Sequence, residues 1–449
     1  QSGGTINANG SVFMAGQNST ISVSGGTFNL GSSSLIMGVG TSVSTNSTLS
    51  VNGTGTVAMG YLELGKWSRN ATGLTVNLGD GTVGGNLSIT NMSYGAGAGS
   101  GATTINFNGG TLTTNGTFSM ATQAATVVKS GGAIFNVVGA TTFTVSNNLT
   151  TDGTGGGLTK NGTGTLTLTG VNTYTGVTTI SAGTLQIGTG TTGSIDSTSS
   201  IVNNANVVFN KNSDFTIKGM TGTGNLTATG RLVNINGNIT QSGNVTLTGS
   251  NVLGGSSFIS GVNLVNANTT ITAGNITLTG DMGRTSNGGS LTLDTSATNG
   301  AITLNASFGR SSQWWGINTL TANAGTGALT ISGANSANGW GASGQAAFNT
   351  NLTGALNIAS NISSTGAINL TAAGNSTVTD IGIVKCEKRL KSCKQHFQMR
   401  VIAQCCKEFK LAKRIGNGDK NVFVILHLSY ALHHVREELI ATPFRTQYL

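Results

Sequence analysis

Short runs that alternate one apolar residue with one Thr, Ser or Asn recur through the first 384 residues, and no other feature limits the fold as severely. Clear cases are Thr165-Leu166-Thr167-Leu168-Thr169, Val245-Thr246-Leu247-Thr248, Ile276-Thr277-Leu278-Thr279, Leu291-Thr292-Leu293, Ile302-Thr303-Leu304-Asn305, Leu329-Thr330-Ile331 and Ile368-Asn369-Leu370. Alternation with period two puts Leu and Ile on one face of a strand and Thr on the other, where its branched side chain suits an exposed pleat. Strands of three to five residues are too short to close an independent sheet, so they must stack on copies of themselves. The pattern therefore predicts an all-β fold, a right-handed parallel β-helix or β-solenoid of roughly 20 to 25 residues per coil. Gly and Asn are expected at the corners, where φ is often positive.

Composition agrees, once it is divided near residue 384. Seventy glycines and only 8% charged residues would suit disorder, but disordered chains lack the β-branched and apolar residues that abound here. Residues 1–384 contain no proline, which would remove a ladder donor, and no Cys or His. All four cysteines, all four histidines and the single Pro443 fall in residues 385–449. That segment carries a formal charge of +8 and the body only +1, so the basic balance belongs to the tail. A thiol-free body avoids mispairing in an oxidising compartment and disulfides that would block a secretion pore. No run of about 18 apolar residues exists, so no transmembrane helix is expected. The chain opens at Gln1 without a charged-then-apolar leader, as a processed or excerpted mature chain would.

One stretch carries a specific signature. From Gly157 to Gly188 the chain reads GLTKNGTGTLTLTGVNTYTGVTTISAGTLQIG. It contains Leu158-Thr159-Lys160 followed by Gly162 and Gly164, then Thr165-Leu166-Thr167-Leu168, Asn172-Thr173-Tyr174-Thr175-Gly176, Thr178-Thr179-Ile180 and Ala182-Gly183-Thr184-Leu185. This resembles the passenger-associated transport repeat, or autotransporter-associated β-strand repeat. Ile105 to Gly116 and Val127 to Ile134 resemble the segment that often precedes it, so the likeness covers roughly residues 103–196. Residues 255–384, with Gly366 to Gly382, look more loosely like filamentous-haemagglutinin repeats. The resemblance implies an autotransporter passenger: a β-helix exported by a Gram-negative cell through its outer-membrane secretion machinery, then displayed or released. A complete autotransporter ends in a membrane barrel with long amphipathic strands and a terminal aromatic, features not read in residues 385–449.

In the tail, Lys, Glu, Gln and Leu replace Thr and Gly, which predicts a helix from about Glu387 to Arg414, ended by Gly416. Cys386, Cys393, His396, Cys405 and Cys406 suggest a metal site, but their spacing lacks the paired short intervals of structural zinc modules. The local charge suggests a basic helix on nucleic acid or an anionic surface. The simpler reading is a solvated helix that caps the rod or hangs loose, and an out-of-frame segment would explain the abrupt change equally well. The domain boundaries expected are 1–384 for the solenoid and 385–449 for the helical or disordered tail.

β-Helices also host polysaccharide lyases and hydrolases, which need clustered carboxylates for acid/base work or calcium. The body offers Glu63, Asp80, Asp152, Asp196, Asp214, Asp281, Asp294 and Asp380, no two in one local motif, and each reads more simply as a turn or surface charge. Asp281 and Arg284, with Asp294 one strand later, form the densest charged patch, for which a corner salt bridge is the simpler account. Trp314 and Trp315, near Arg310 and Trp340, would make an aromatic platform for sugars or a partner protein, or else pack into a coil. No glycine-rich loop is followed by the Lys-Ser/Thr of a phosphate-binding loop.

These readings assign no catalytic, cofactor-binding or metal residue and no cofactor. They point to a secreted or cell-surface rod that is not an enzyme and acts in adhesion, aggregation or surface structure. Its expected partners are host or bacterial surface glycans or proteins and a second copy of itself, with no nucleic acid among them. The alternative is a polysaccharide-degrading enzyme on the same scaffold.

Overall fold

The computed structural model describes residues 1–15, 18–39, 46–65, 73–81, 84–95, 103–120, 124–195 and 200–249. Beyond these it describes 261–264, 268–284, 290–305, 319–331, 347–352, 354–358, 368–369, 376–382, 390–393, 397–402, 408–415 and 422–429. The expected class is the one observed. The chain is an all-β parallel solenoid, and its described part makes about 11 turns without a helix.

Each early coil contributes strands to three faces. The first face climbs from Ser2–Asn7 through Gly25–Asn29 to the start of Thr56–Leu64, and later through Thr111–Thr114, Ala133–Val137 and Leu158–Asn161. The second runs from Val12–Met14 through Ser34–Met37 and later through Thr142–Val145, Thr165–Leu168 and Thr184–Gly190. The third is a six-stranded sheet from Thr20–Val23 to Leu149–Thr151. Stacking neighbours in register about 4.8 Å apart satisfies the backbone donors and acceptors that such short strands would otherwise leave open.

The core follows from the alternation. On the second face Leu166 lies under Leu185, Val207, Leu226, Val245, Ile276, Ile302 and Leu329 in one in-register column, every member buried. Fully burying each such side chain contributes about 1.5–3 kcal/mol. Rings fill the wider early coils: Phe107 meets Phe135 at 5.1 Å between centroids, and Phe118 meets Phe143 at 4.9 Å.

Coil length varies while the column stays in register. Stacked asparagines lie 29 residues apart at Asn77 and Asn106, 19 apart at Asn206 and Asn225, and 31 apart at Asn244 and Asn275. The corners take up the difference. In one column Asn225 Nδ2 donates to Asn206 Oδ1 at 3.1 Å, Asn244 N to Asn225 Oδ1 at 2.8 Å, and Asn275 Nδ2 to Asn244 Oδ1 at 2.8 Å.

The expected tail helix is not what the described residues form. Leu390–Cys393, Phe397–Ile402, Glu408–Ile415 and Val422–Ser429 are strands; Phe397–Ile402 stacks on Ser376–Gly382, and the last two pair antiparallel. Phe409 and Leu411 alternate with Glu408 and Lys410 at the start of Glu408–Ile415, and Val422–Ser429 is rich in strand formers.

Candidate functional site

Among the described residues, the signature stretch folds as the coil in which the third face stops. Leu158–Asn161 and Thr165–Leu168 build two faces of one coil, and Thr178–Ile180 and Thr184–Gly190 stack directly above them. Between them the third face shrinks to a single bridge of Val171 with Ser194, and Leu149–Thr151 is the last strand of its sheet. That sheet edge is closed by the Asn172 side chain and the Thr173 backbone. Asn172 Oδ1 accepts from Leu149 N at 2.9 Å, Thr173 N donates to Leu149 O at 2.9 Å, and Asn172 Nδ2 donates upward to Ser194 O at 2.8 Å. Asn172 thereby ties three coils and blunts an edge that would otherwise invite another strand.

Tyr174 fills the space that the missing strand leaves. It is buried, and its hydroxyl lies 2.7 Å from Thr178 Oγ1. Burial pushes its phenol above the ordinary range against the smaller opposing effect of the Thr178 hydrogen bond.

Lys160 takes an inward position in the core column between Phe135 below and Ile180 above. Its side chain is 0% exposed, so its charge must be met from within. Nζ donates to the carbonyls of Asn161 and Gly162 at 2.8 Å each and of Ala182, one coil up, at 3.1 Å. Burial pulls the ammonium down to about 8. Lys211 repeats the device at the next corner, donating to Thr192 O at 3.1 Å and to Gly193 O. These three carbonyls use all three donors of Lys160, which makes it a corner clasp.

The carboxylates named from the sequence are scattered, and several serve turns. Glu63 is buried and accepts from Ser34 Oγ at 2.9 Å. Asp152 caps its own turn through Thr154 N at 3.0 Å and the Thr154 hydroxyl, which lowers its pKa. Asp214 holds Arg231 in a bidentate pair at 2.7 and 2.6 Å. Asp294 accepts from Ser296 N at 2.9 Å and Oγ at 2.6 Å, on a first-face strand, whereas Asp281 and Arg284 lie on the strand Asp281–Arg284 stacked on Gly261–Leu264. Asp80 lies in the corner after Leu74–Leu78, and Asp380 lies on the strand Ser376–Gly382. Asp196, Arg310, Trp314, Trp315, Trp340, Cys386, His396, Cys405 and Cys406 lie outside the described residues; Cys393 ends the strand Leu390–Cys393.

Lys160, Lys211 and Asn172 were not singled out as structural clasps in the sequence, although a signal existed for one. Leu158 and Lys160 share the parity of inward positions.

A parallel solenoid with apolar inward columns and with signature polar residues turned to its own backbone defines the class. Within it, residues 158–187 match the family model described as the passenger-associated-transport-repeat. The likeness read from Gly157 to Gly188 is thereby established, and repeat and fold together are consistent with the passenger of an autotransporter, a family secreted or held at the cell surface. No curated protein and no solved structure matches the chain.

Proposed function

We propose that the chain is a secreted or surface-displayed passenger that works as an adhesive, aggregating or structural rod, delivered by outer-membrane secretion machinery. One observation carries this reading. The polar signature residues Lys160 and Asn172 are consumed in holding coils together and Tyr174 is buried against Thr178, while the outward faces present continuous columns of Thr and Asn to the surroundings. A rod of this kind meets surface glycans, proteins or another copy through repetition of weak polar contacts, with multivalency supplying strength. The local engagement of Asp152, Asp214 and Asp294 in turns and a surface pair favours it over glycan cleavage.

The test is a cell-aggregation and surface-binding assay with and without residues 1–384. Loss of aggregation or binding on deletion is expected. Loss of neither phenotype would count against the reading, and depolymerisation of an acidic glycan by purified protein would replace it with the enzymatic one.

A further inference from the structure

Two aromatic side chains break the polar pattern of the second face in its early coils. Phe13 and Tyr61 are 51% and 44% exposed, whereas rings such as Phe107, Phe135 and Phe143 are buried in the core. Among the residues whose exposure is described, no other ring stands so open. Register fixes where the two point. Leu35, Leu62 and Met92 stack and are buried, so their neighbours Ser34, Tyr61 and Asn91 form an outward column. Phe13, Ile36, Glu63 and Ser93 form the outward column two residues along. With coils about 4.8 Å apart and alternate residues about 6.7 Å apart, the Cα atoms of Phe13 and Tyr61 are separated by about 12 Å.

Tyr61 is bracketed by hydrogen-bonding groups within its own column. In the coil below, Ser34 Oγ donates to the buried Glu63 carboxylate at 2.9 Å, which uses the hydroxyl's one proton and leaves its oxygen to accept. In the coil above, Asn91 Oδ1 accepts from Met92 N at 2.7 Å, which fixes the amide and leaves both Nδ2 protons to donate; no group among the described residues takes them. The Cα atoms of Ser34 and Asn91 stand about 9.6 Å apart, the span of one hexose with a hydrogen bond at either end.

These features select the ligand. An open ring offers its face to the apolar C–H side of a sugar, and polar groups fixed on both sides of it take the hydroxyls. The two outward columns hold one carboxylate, Glu63, and no Lys or Arg, so nothing in them would neutralise an acidic sugar. An aromatic anchor for a protein partner sits at the centre of a dry apolar patch, whereas Tyr61 has Ser34, Asn91 and Glu63 around it. The first face of the same coils lacks the combination, for its outward column there is Thr5, Thr27, Thr56 and Asn86.

We propose that Tyr61, Ser34 and Asn91 form a binding site for a neutral hexose of a surface glycan, with Phe13 meeting a second sugar of the same chain. The sugar ring lies on Tyr61, one of its hydroxyls donates to Ser34 Oγ, and another accepts from Asn91 Nδ2. The inference rests on the adhesive reading and deepens it by naming the ligand class and the residues that hold it.

The test is calorimetric titration of the purified full chain with lactose, cellohexaose and mannohexaose, and with oligogalacturonate as the acidic probe. The wild type should bind at least one neutral oligosaccharide and should not bind oligogalacturonate. Tyr61→Ala should weaken the binding at least about tenfold, while Tyr61→Phe, which keeps the ring, should stay within about twofold of the wild type. Asn91→Ala should weaken it as well, and Thr246→Ala, outward on the same face in later coils, should leave it unchanged; circular dichroism and melting check that every variant is folded. Absence of binding to all three neutral probes, preference for oligogalacturonate, or equal binding by the wild type and Tyr61→Ala would overturn the proposal. So would a Tyr61→Ala variant that loses only self-association by light scattering or only binding to a cell-surface protein, since the ring would then serve a protein contact. Cell adhesion by a wild type that binds no neutral sugar overturns this inference and leaves the adhesive reading standing, and that reading fails separately if deletion of residues 1–384 changes neither aggregation nor binding.

Discussion

The ammonium of Lys160 reaches the carbonyl of Ala182 in the coil above at 3.1 Å, so a lysine buried in the core links two turns of the solenoid. Replacing it by methionine keeps the volume and strands three carbonyls. Lys160→Met should destabilise the repeat coils by about 2–4 kcal/mol, since each buried group left without a partner costs about 1–3 kcal/mol and part is recovered by relaxation. Because solenoids lose coils locally, the measurement is hydrogen exchange across 158–187, where protection should fall most.

The same residue gives the rod a pH signature. Its folded pKa of about 8 lies below the ordinary 10.5, so between those values the unfolded chain holds a proton that the folded coil has released. Stability therefore rises with pH from about 8 toward 10.5, and the penalty of the buried charge is fully present below 8. Tyr174 acts in the opposite sense: raised above its ordinary 10.0, it stays neutral when folded while the unfolded phenol ionises, so stability falls above pH 10. Urea midpoints should climb between pH 8 and 10 and then turn down. Lys160→Met should flatten the climb.

Asn172 is expected to matter more than its single side chain suggests. Asn172→Ala removes the acceptor for Leu149 N and a donor to Ser194 O, opening the edge of the third-face sheet. A cost of about 1–3 kcal/mol follows, since Leu149 N is left without its partner while Ser194 O keeps the backbone N–H of residue 172. Limited proteolysis should then cut near residues 149–151 and 171–177 sooner than in the wild type.

Gly183 sits at φ +67°, and a Cβ there would meet the Gly164 carbonyl of the coil below. Gly183→Ala should cost about 1–3 kcal/mol in backbone strain. In contrast, Arg231→Ala breaks a bidentate pair whose partners are 37% and 39% exposed, and thermal melting should show almost no change.

How much of this was legible depends on where the information sits. The alternating runs carry parity within four or five residues, so Leu166, Leu247 and Leu304 could be assigned to the core from the sequence and are buried. The repeat was equally legible from its glycine and threonine spacing. The roles of Asn172 and Lys160 were not, because Leu149, Ala182 and Ser194 lie more than 20 residues away and become neighbours only once coil length is known. The interruption of the third face was hidden likewise, since Val171 to Val177 marks the repeat by its residues but does not say which strand it replaces. In the tail the described residues are strands although Lys, Glu and Leu suit helices, and the strand-forming composition of Val422–Ser429 is the competing signal.

Export of the solenoid is tested most directly with an antibody raised against folded residues 1–249 and applied to intact, non-permeabilised cells and to their cleared medium. The expected result is binding at the cell surface or recovery from the medium, with no increase in the cell-bound signal after lysis. A signal that emerges only on lysis, with none outside the intact cell, would contradict it.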